Sequence, residues 1–561
     1  MGLSASIRAS HRPGTASALS LAVVALALAC RPEEPAQTPS TPAEGSDRDA
    51  TLECGPVPTP SDPEATRSVL EETRWLMESD ATELRARMAA GSLSPAALRD
   101  AVVQRIEASN ERGPELRALI AIDAAAEPSP DTSAGPLHGL PIALKDNIDA
   151  VGFPTTAGSL ALANNLPADD AFLTARLRNA GATVVAKANL SEWANFRSTR
   201  STSGWSGVGG LGRNPHDIRR SQCGSSAGSG AAVAAGLVTM AVGTETDGSI
   251  LCPASMNGIV GVKPTVGLVS RDGIVPISPT QDTAGPMTRS VRDAALLLEV
   301  LAAPDASDVA PHARPPGLDT RYVAGLDRDG LQGRRVGVLR SDARFEDGTK
   351  AVFEAALSDL EKAGAELVEI EASYDDSVHD HEWTVLTLEF APAMAAYLSS
   401  ADPNQVAART LEDLIEFNRA HAAAELCWFD QSIFEISLRA DRDSAADPAS
   451  LERARTAARR LLGDDFLDRL AAEHRVEAFV YPTADPAWTI TLGQGDDFGA
   501  ISSSITAIPG YPAITVPMGE VEGLPVGLTF AGLPWTEGRL LAFAFAYEQI
   551  SHARIAPTFR H

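Results

Sequence analysis

From residue 64 onward, apolar runs of strand length alternate with segments whose apolar positions recur at helical spacing. The strand-like runs are RALIAI (117–122), PIALK (141–145), TVVAK (183–187), GIVGVK (258–263), RRVGVLR (334–340), AELVEIE (365–371), AFVYP (478–482), AITVPMG (513–519) and VGLTFAG (526–532). Between them, Ser94 and Pro95 open a helix over AALRDAVVQRIEA, an N-cap followed by proline in the first turn. DAFLTARLRNAG reads as a helix ending at Gly181, AGSGAAVAAGLV as a tightly packing helix of small residues, and VFEAALSDLEKAG as a further helix. Long helices are expected across 383–475, with a last one over roughly 537–552. Strands alternating with helices predict an α/β fold. No internal repeat is visible, so one large domain is expected over 64–561.

The first 63 residues break this pattern. Arg8 and Arg12 precede the apolar run ALSLAVVALALA (18–29), too short to cross a bilayer as a finished helix and followed by Cys30. This predicts a signal peptide over 1–30, either of the lipoprotein kind in which Cys30 is lipidated or an ordinary one. Residues 31–63 are rich in Pro, Thr, Ser and Glu and read as a linker. The expected location is outside the cytoplasm: a periplasmic or outer-membrane lipoprotein of a bacterium, or a secreted protein. Membrane contact would come only through that N-terminal anchor.

Charge narrows the partners. The formal net charge of −27 disfavours nucleic acid. Cations are almost all arginine, 42 against five lysines, so each lysine prompts the question whether an amine is required, since a desolvated lysine can lose its proton and arginine cannot. Three of the five, Lys145, Lys187 and Lys263, fall in one stretch of the chain. The five cysteines show no C-x-x-C spacing and no disulfide framework; Cys223 and Cys252 read as small packing residues.

Gly224-Ser225-Ser226-Ala227-Gly228 fits the G-x-S-x-G pattern of a nucleophile elbow, with His552 downstream as a partner for Ser226. Such an elbow needs a strand running into it, and RNPHDIRRSQ offers none. No serine stands three residues before any lysine, which excludes a Ser-x-x-Lys nucleophile. His379-Asp380-His381 is too small a cluster to predict a metal, and GVGGLG (207–212) lacks the flanking strand and helix of a dinucleotide loop and reads as loop. A better constellation is Lys145 at the mouth of an apolar strand with two serine-bearing glycine-rich turns, CGSSAGSG and GTETDGSI. A neutral lysine there could act as base, hydroxyls could relay a proton, and turn N–H groups could hold an oxyanion.

GLPIALKDNIDAVGFPTTAGS, GATVVAKANLSEWANF, GSSAGSGAAVAAGL, GTETDGSILCPASMNGIVGVKPTVGLVSR, QDTAGPM and SSSITAIPGYPAITVPMG together resemble the amidase signature family, in GTETDGSI and RSTRSTSGW its peptide amidase branch. The resemblance implies one amidase-signature domain with a mixed twisted sheet sandwiched between α-helices. It implies hydrolysis of a carboxamide to carboxylate and ammonia through an acyl-enzyme, on C-terminal peptide amides or small amides, with no metal or organic cofactor, by a monomer or homodimer. It assigns Lys145 as base, Ser225 in a cis peptide linkage as relay, and Ser249, 24 residues on, as nucleophile. Backbone N–H groups of Thr246, Asp247, Gly248 and Ser249 form the oxyanion hole, and Ser226 supports the relay. Glu245 and Asp247 replace the Asp and Gly of many relatives, which suggests altered pocket selectivity.

Lys187 and Lys263 are expected to be buried structural amines bonded to carbonyls, and Asp282 a structural carboxylate. Trp205, Trp428 and Trp488 fit either a core or a cleft wall. Two other readings stay open: the glutamine-hydrolysing component of a tRNA-dependent amidotransferase (its A subunit), and an α/β-hydrolase-type esterase using Ser226.

Overall fold

The computed structural model describes residues 64–560 except 128–134, 311 and 341–344, so the expected signal peptide, Cys30 and linker lie outside the described residues. Its strands are β1 (Leu119–Ile122), β2 (Pro141–Lys145), β3 (Thr183–Ala188), β4 (Trp205–Ser206), β5 (Gly210–Leu211), β6 (Met240–Glu245), β7 (Val260–Lys263), β8 (Thr283–Thr288), β9 (Arg335–Arg340), β10 (Glu366–Glu371), β11 (Ala478–Pro482), β12 (Ala513–Val521) and β13 (Leu524–Ala531). Eleven of them make one mixed sheet in the order β1-β3-β2-β6-β8-β7-β12-β13-β11-β9-β10. The expected α/β fold, a mixed sheet between helices, is what is observed. The remaining pair, β4 and β5, forms a small antiparallel hairpin whose second strand falls inside the glycine-rich stretch 207–212 expected to be loop.

Burial explains the sequence patterns. β2 and β3 are buried at every position and therefore read as unbroken apolar runs. β10, at the sheet edge, keeps glutamates toward solvent, the usual guard of an unpaired edge. The helix Pro95–Ser109 begins as expected, with Ser94 Oγ accepting from Ala97 N–H at 3.1 Å. The expected long helices across 383–475 are one of 24 residues, Ser377–Ser400, followed by shorter ones: Leu411–Ala420, Ser432–Asp443, Ser450–Arg459 and, after a π-helical segment, Arg469–His474. No described helix is long and apolar enough to cross a membrane.

The centre of the sheet positions the candidate site. β2 runs parallel to both β3 and β6, so Lys145 and Glu245 emerge at neighbouring carboxyl ends, where open α/β sheets place their chemistry. β8 then returns antiparallel to β6, with Glu245 opposite Thr283. The helix Ala227–Ala234 is buried throughout and made of Gly, Ala, Ser and Val. A Cβ at Gly228 would stand 2.2 Å from Ala118 O and 2.5 Å from Asn189 O, so only glycine lets this helix lie so close to the β1 and β3 ends.

Candidate active site

Lys145 ends β2 fully buried. Its Nζ donates to Ser225 Oγ at 2.8 Å, Thr244 Oγ1 at 2.8 Å and Thr244 O at 3.1 Å. Burial draws the amine down to about 7, against the opposing pull of the Asp282 and Glu245 carboxylates. Near neutrality a large fraction is therefore the free base. Asn147 Nδ2 donates to the same Thr244 hydroxyl at 3.0 Å and fixes its orientation.

Ser225 follows Gly224 through a cis peptide bond, as the family resemblance implies, and is fully buried. Ser191 N–H donates to its carbonyl at 3.1 Å. Ser226 turns the other way: its Oγ donates to Thr244 O at 3.0 Å and accepts from Thr244 N–H at 3.2 Å. Both hydroxyls of the pair thus converge on Thr244, one through the lysine and one directly. Ser226 N–H also donates to Ser249 O at 3.1 Å, which seats the second serine-bearing turn beside the first.

That turn follows β6. Thr246 Oγ1 donates to Asp282 Oδ1 at 2.6 Å, and Asp282 Oδ2 accepts from Ile277 N–H at 2.8 Å and Ser278 N–H at 2.9 Å, the structural role expected of it. Gly248 has φ +78°, in the left-handed region that favours glycine. The turn runs into the helix Leu251–Met256, and Glu245 Oε2 accepts from Ile250 N–H at 2.7 Å and Leu251 N–H at 2.9 Å. A carboxylate on those N–H groups also suits the positive end of the helix. Glu245 is buried, so it shapes the turn rather than the substrate pocket.

Asp247 is only partly buried. Ser504 Oγ donates to its Oδ2 at 2.5 Å, and desolvation of the carboxyl, reinforced by the nearby Glu382, raises it well above the ordinary carboxylate range. Glu382 in turn accepts from Gln281 Nε2 at 2.9 Å and lies 3.7 Å from His379 Nδ1.

Other expectations divide. Lys187 donates to Pro154 O at 2.9 Å and pairs with Asp146 at 3.0 Å; Lys263 donates to Pro264 O at 3.4 Å; both are the buried structural amines anticipated. Cys223 and Cys252 are not simple packing residues: they form a disulfide, because the chain folds the two serine turns side by side. The esterase reading fails on geometry. No strand enters Ser226, its hydroxyl is engaged by Thr244, and His552 instead lines a polar cavity with Glu78, Asp80, Arg289, Glu548 and Arg554. Trp205 is core, edge-to-face with Phe429, whereas Trp488 pairs with Phe498 in the segment packed on the disulfide; Trp428 is half-buried. No group of three or more metal-ligating side chains occurs among the described residues. Sequence reasoning missed Thr244, the hub of the site, because nothing in AVGTETDG marks that threonine as different from its neighbours.

Residues 99–541 match the Amidase family. The chain is similar to a probable amidase of Arabidopsis thaliana, 37% identical over 431 residues, covering 75% of this chain and 78% of the relative. It is also similar to the A subunit of the glutamyl-tRNA(Gln) amidotransferase of Symbiobacterium thermophilum, 36% identical over 75% of this chain and 84% of that protein. Among solved structures, the native peptide amidase from Stenotrophomonas maltophilia superposes with a TM-score of 0.79 at 46% identity, covering 86% of this chain and 99% of its own.

Proposed function

This chain belongs to the amidase family, and on that premise we propose that it hydrolyses the carboxamide of C-terminal peptide amides, or of small amides, to carboxylate and ammonia. The observation that carries the reading is a buried lysine amine, drawn down to about 7, in direct contact with Ser225 beside the turn that bears Ser249. The likeness to a peptide amidase over nearly the whole of that enzyme supports the peptide amide as substrate.

In the proposed reaction neutral Lys145 takes the proton of Ser225 as Ser225 takes that of Ser249, and Ser249 Oγ attacks the amide carbon. The oxyanion lies against the backbone N–H groups of Thr246, Asp247, Gly248 and Ser249. The proton returns along the same path to the departing nitrogen, ammonia leaves, and water cleaves the acyl-enzyme by the reverse route. No proton acceptor beyond the three side chains is required.

We also place the enzyme outside the cytoplasm, anchored or secreted. The signal-like N-terminus and the Cys223–Cys252 disulfide, of a kind that persists in oxidising compartments, support this. The glutamine-hydrolysing component of an amidotransferase is the second reading, supported by the similarity to such proteins. It predicts a partner complex and glutamine as the amide.

Ammonia release should be screened over peptide amides, amino-acid amides, simple amides and glutamine, with Ser249→Ala as control. Peptide amides should turn over fastest, Ser249→Ala should lose about 10³-fold or more in kcat, and His552→Ala should keep turnover. Near-normal activity in purified Ser249→Ala refutes the nucleophile, and glutamine as the sole substrate moves the chain to the second reading.

A further inference from the structure

The bridge between Cys223 and Cys252 falls at a telling place. Cys223 lies two residues before Ser225 and Cys252 three residues after Ser249, and their Cα atoms are 6.0 Å apart. The bond therefore ties together the two segments whose serines must exchange a proton. Both cysteines are buried. Their shared cluster includes Met256, Ala484, Ala487 and Trp488, with Phe498 and Ile501 packed against it. A Cβ on Gly248 would meet Ser503 Oγ at 2.8 Å and Ile501 Cδ1 at 3.4 Å, so the segment that covers the bridge also backs the Ser249 turn. Non-covalent links join the same segments: Ser226 N–H to Ser249 O at 3.1 Å, and Asn257 Nδ2 to Gln222 O at 3.0 Å. These links do not depend on the sulfurs; Cys223 N–H donates to Ser221 Oγ at 3.0 Å, and the residue sits at φ +55°.

We propose that the Cys223–Cys252 disulfide is a positioning element of the catalytic site, fixing Ser225 against Ser249, and that its reduction by a dithiol, which reaches the buried sulfurs through local opening of the chain, lowers turnover without leaving the protein unfolded. The proposal rests on the Ser249–Ser225–Lys145 reading above. In the redox step a dithiol thiolate attacks one sulfur and forms a mixed disulfide; its second thiol then closes the reagent's own ring. Two electrons and two protons pass from reagent to protein, leaving two cysteine thiols. Lys145 is untouched: its contacts run to Ser225 and Thr244, and neither cysteine bonds to it.

The test compares the oxidised full chain with the same chain after dithiothreitol, the thiols at 223 and 252 being counted by alkylation and peptide mass. With both thiols free, kcat should fall about 10- to 100-fold, as expected of a small misplacement of reacting groups, while KM and far-ultraviolet circular dichroism hold. The acid limb of the pH profile should stay in place, and reoxidation should restore kcat. Because Cys427 is also disulfide-bonded, Cys223→Ser/Cys252→Ser provides the attribution: the same low kcat, now indifferent to reductant. Unchanged kcat with both thiols free, or in the folded double variant, overturns the proposal, as does a loss of thermal stability with kcat intact. If the double variant does not fold, the correlation of free-thiol count with kcat in the unaltered chain decides. An oxidised chain inactive on every amide would instead count against the amidase reading. In that case the rate of Ser249 labelling by a fluorophosphonate, oxidised against reduced, still tests the bridge.

Discussion

At the scale of single residues, the site turns on why one lysine is a base. An exposed amine stays protonated far above neutrality. Lys145 has lost its water, and the neighbours that replace that water are mostly neutral: two hydroxyls and a carbonyl. The carboxylates that would hold the proton on, Asp282 and Glu245, spend their lone pairs on Thr246, Ile277, Ser278, Ile250 and Leu251. Burial therefore wins, and the amine comes down to about 7. The sign of the pH dependence follows. Below that value Lys145 is an ammonium and cannot accept from Ser225; above it the free amine can. We expect kcat/KM to rise through an inflection near 7, read from initial rates over about pH 5 to 9. A profile flat across that range would leave Lys145 without its role as base.

At the scale of elements, the two serine turns are set by what packs behind them. The helix Ala227–Ala234 approaches the β1 and β3 ends so closely that Gly228 has no room for a side chain. Gly228→Ala puts a methyl group 2.2 Å from a backbone carbonyl, and the forced shift of the helix should cost at least about 1–3 kcal/mol. Thermal denaturation should show a lowered midpoint, with kcat falling as the Ser225 turn is displaced; an unchanged midpoint would contradict the packing described. This element was legible in sequence as a run of small residues, and β2, β3, β7 and β9 as apolar runs bounded by polar ones. β6 and β8 were not. Residues 240–245 follow an apolar helix with only Gly236 and Thr239 to mark a break, and 283–288 carry Gly285 and Pro286 in a strand buried on both sides. The disulfide was invisible for a related reason: cysteines 29 residues apart reveal nothing until the chain is folded. Lys145 and Ser225 stand in contact and meet at Thr244, and nothing in the sequence around that threonine marks it.

At the scale of the whole molecule, catalysis and location are separable. The groups assigned to the chemistry lie between Lys145 and Asp282, with support from Ser504, all within the described residues, whereas the signal-like stretch and Cys30 belong to the first 50 residues of the chain. A body of strong net negative charge, −27 over the chain, is repelled by anionic lipid surfaces. Any retention at a membrane would then have to come from the N-terminus, where acyl chains on Cys30 would contribute about 0.8 kcal/mol per buried methylene. A chain starting at Thr51 should therefore keep kcat/KM within about twofold, since it retains every residue assigned to the reaction, and should fractionate as a soluble protein. The full chain expressed in a bacterium should sediment with membranes and incorporate labelled palmitate, and Cys30→Ala should abolish both without changing kcat. A full chain that is processed yet stays soluble and unlabelled would refute the anchor while leaving the amidase chemistry intact, because none of the assigned catalytic groups precedes Lys145.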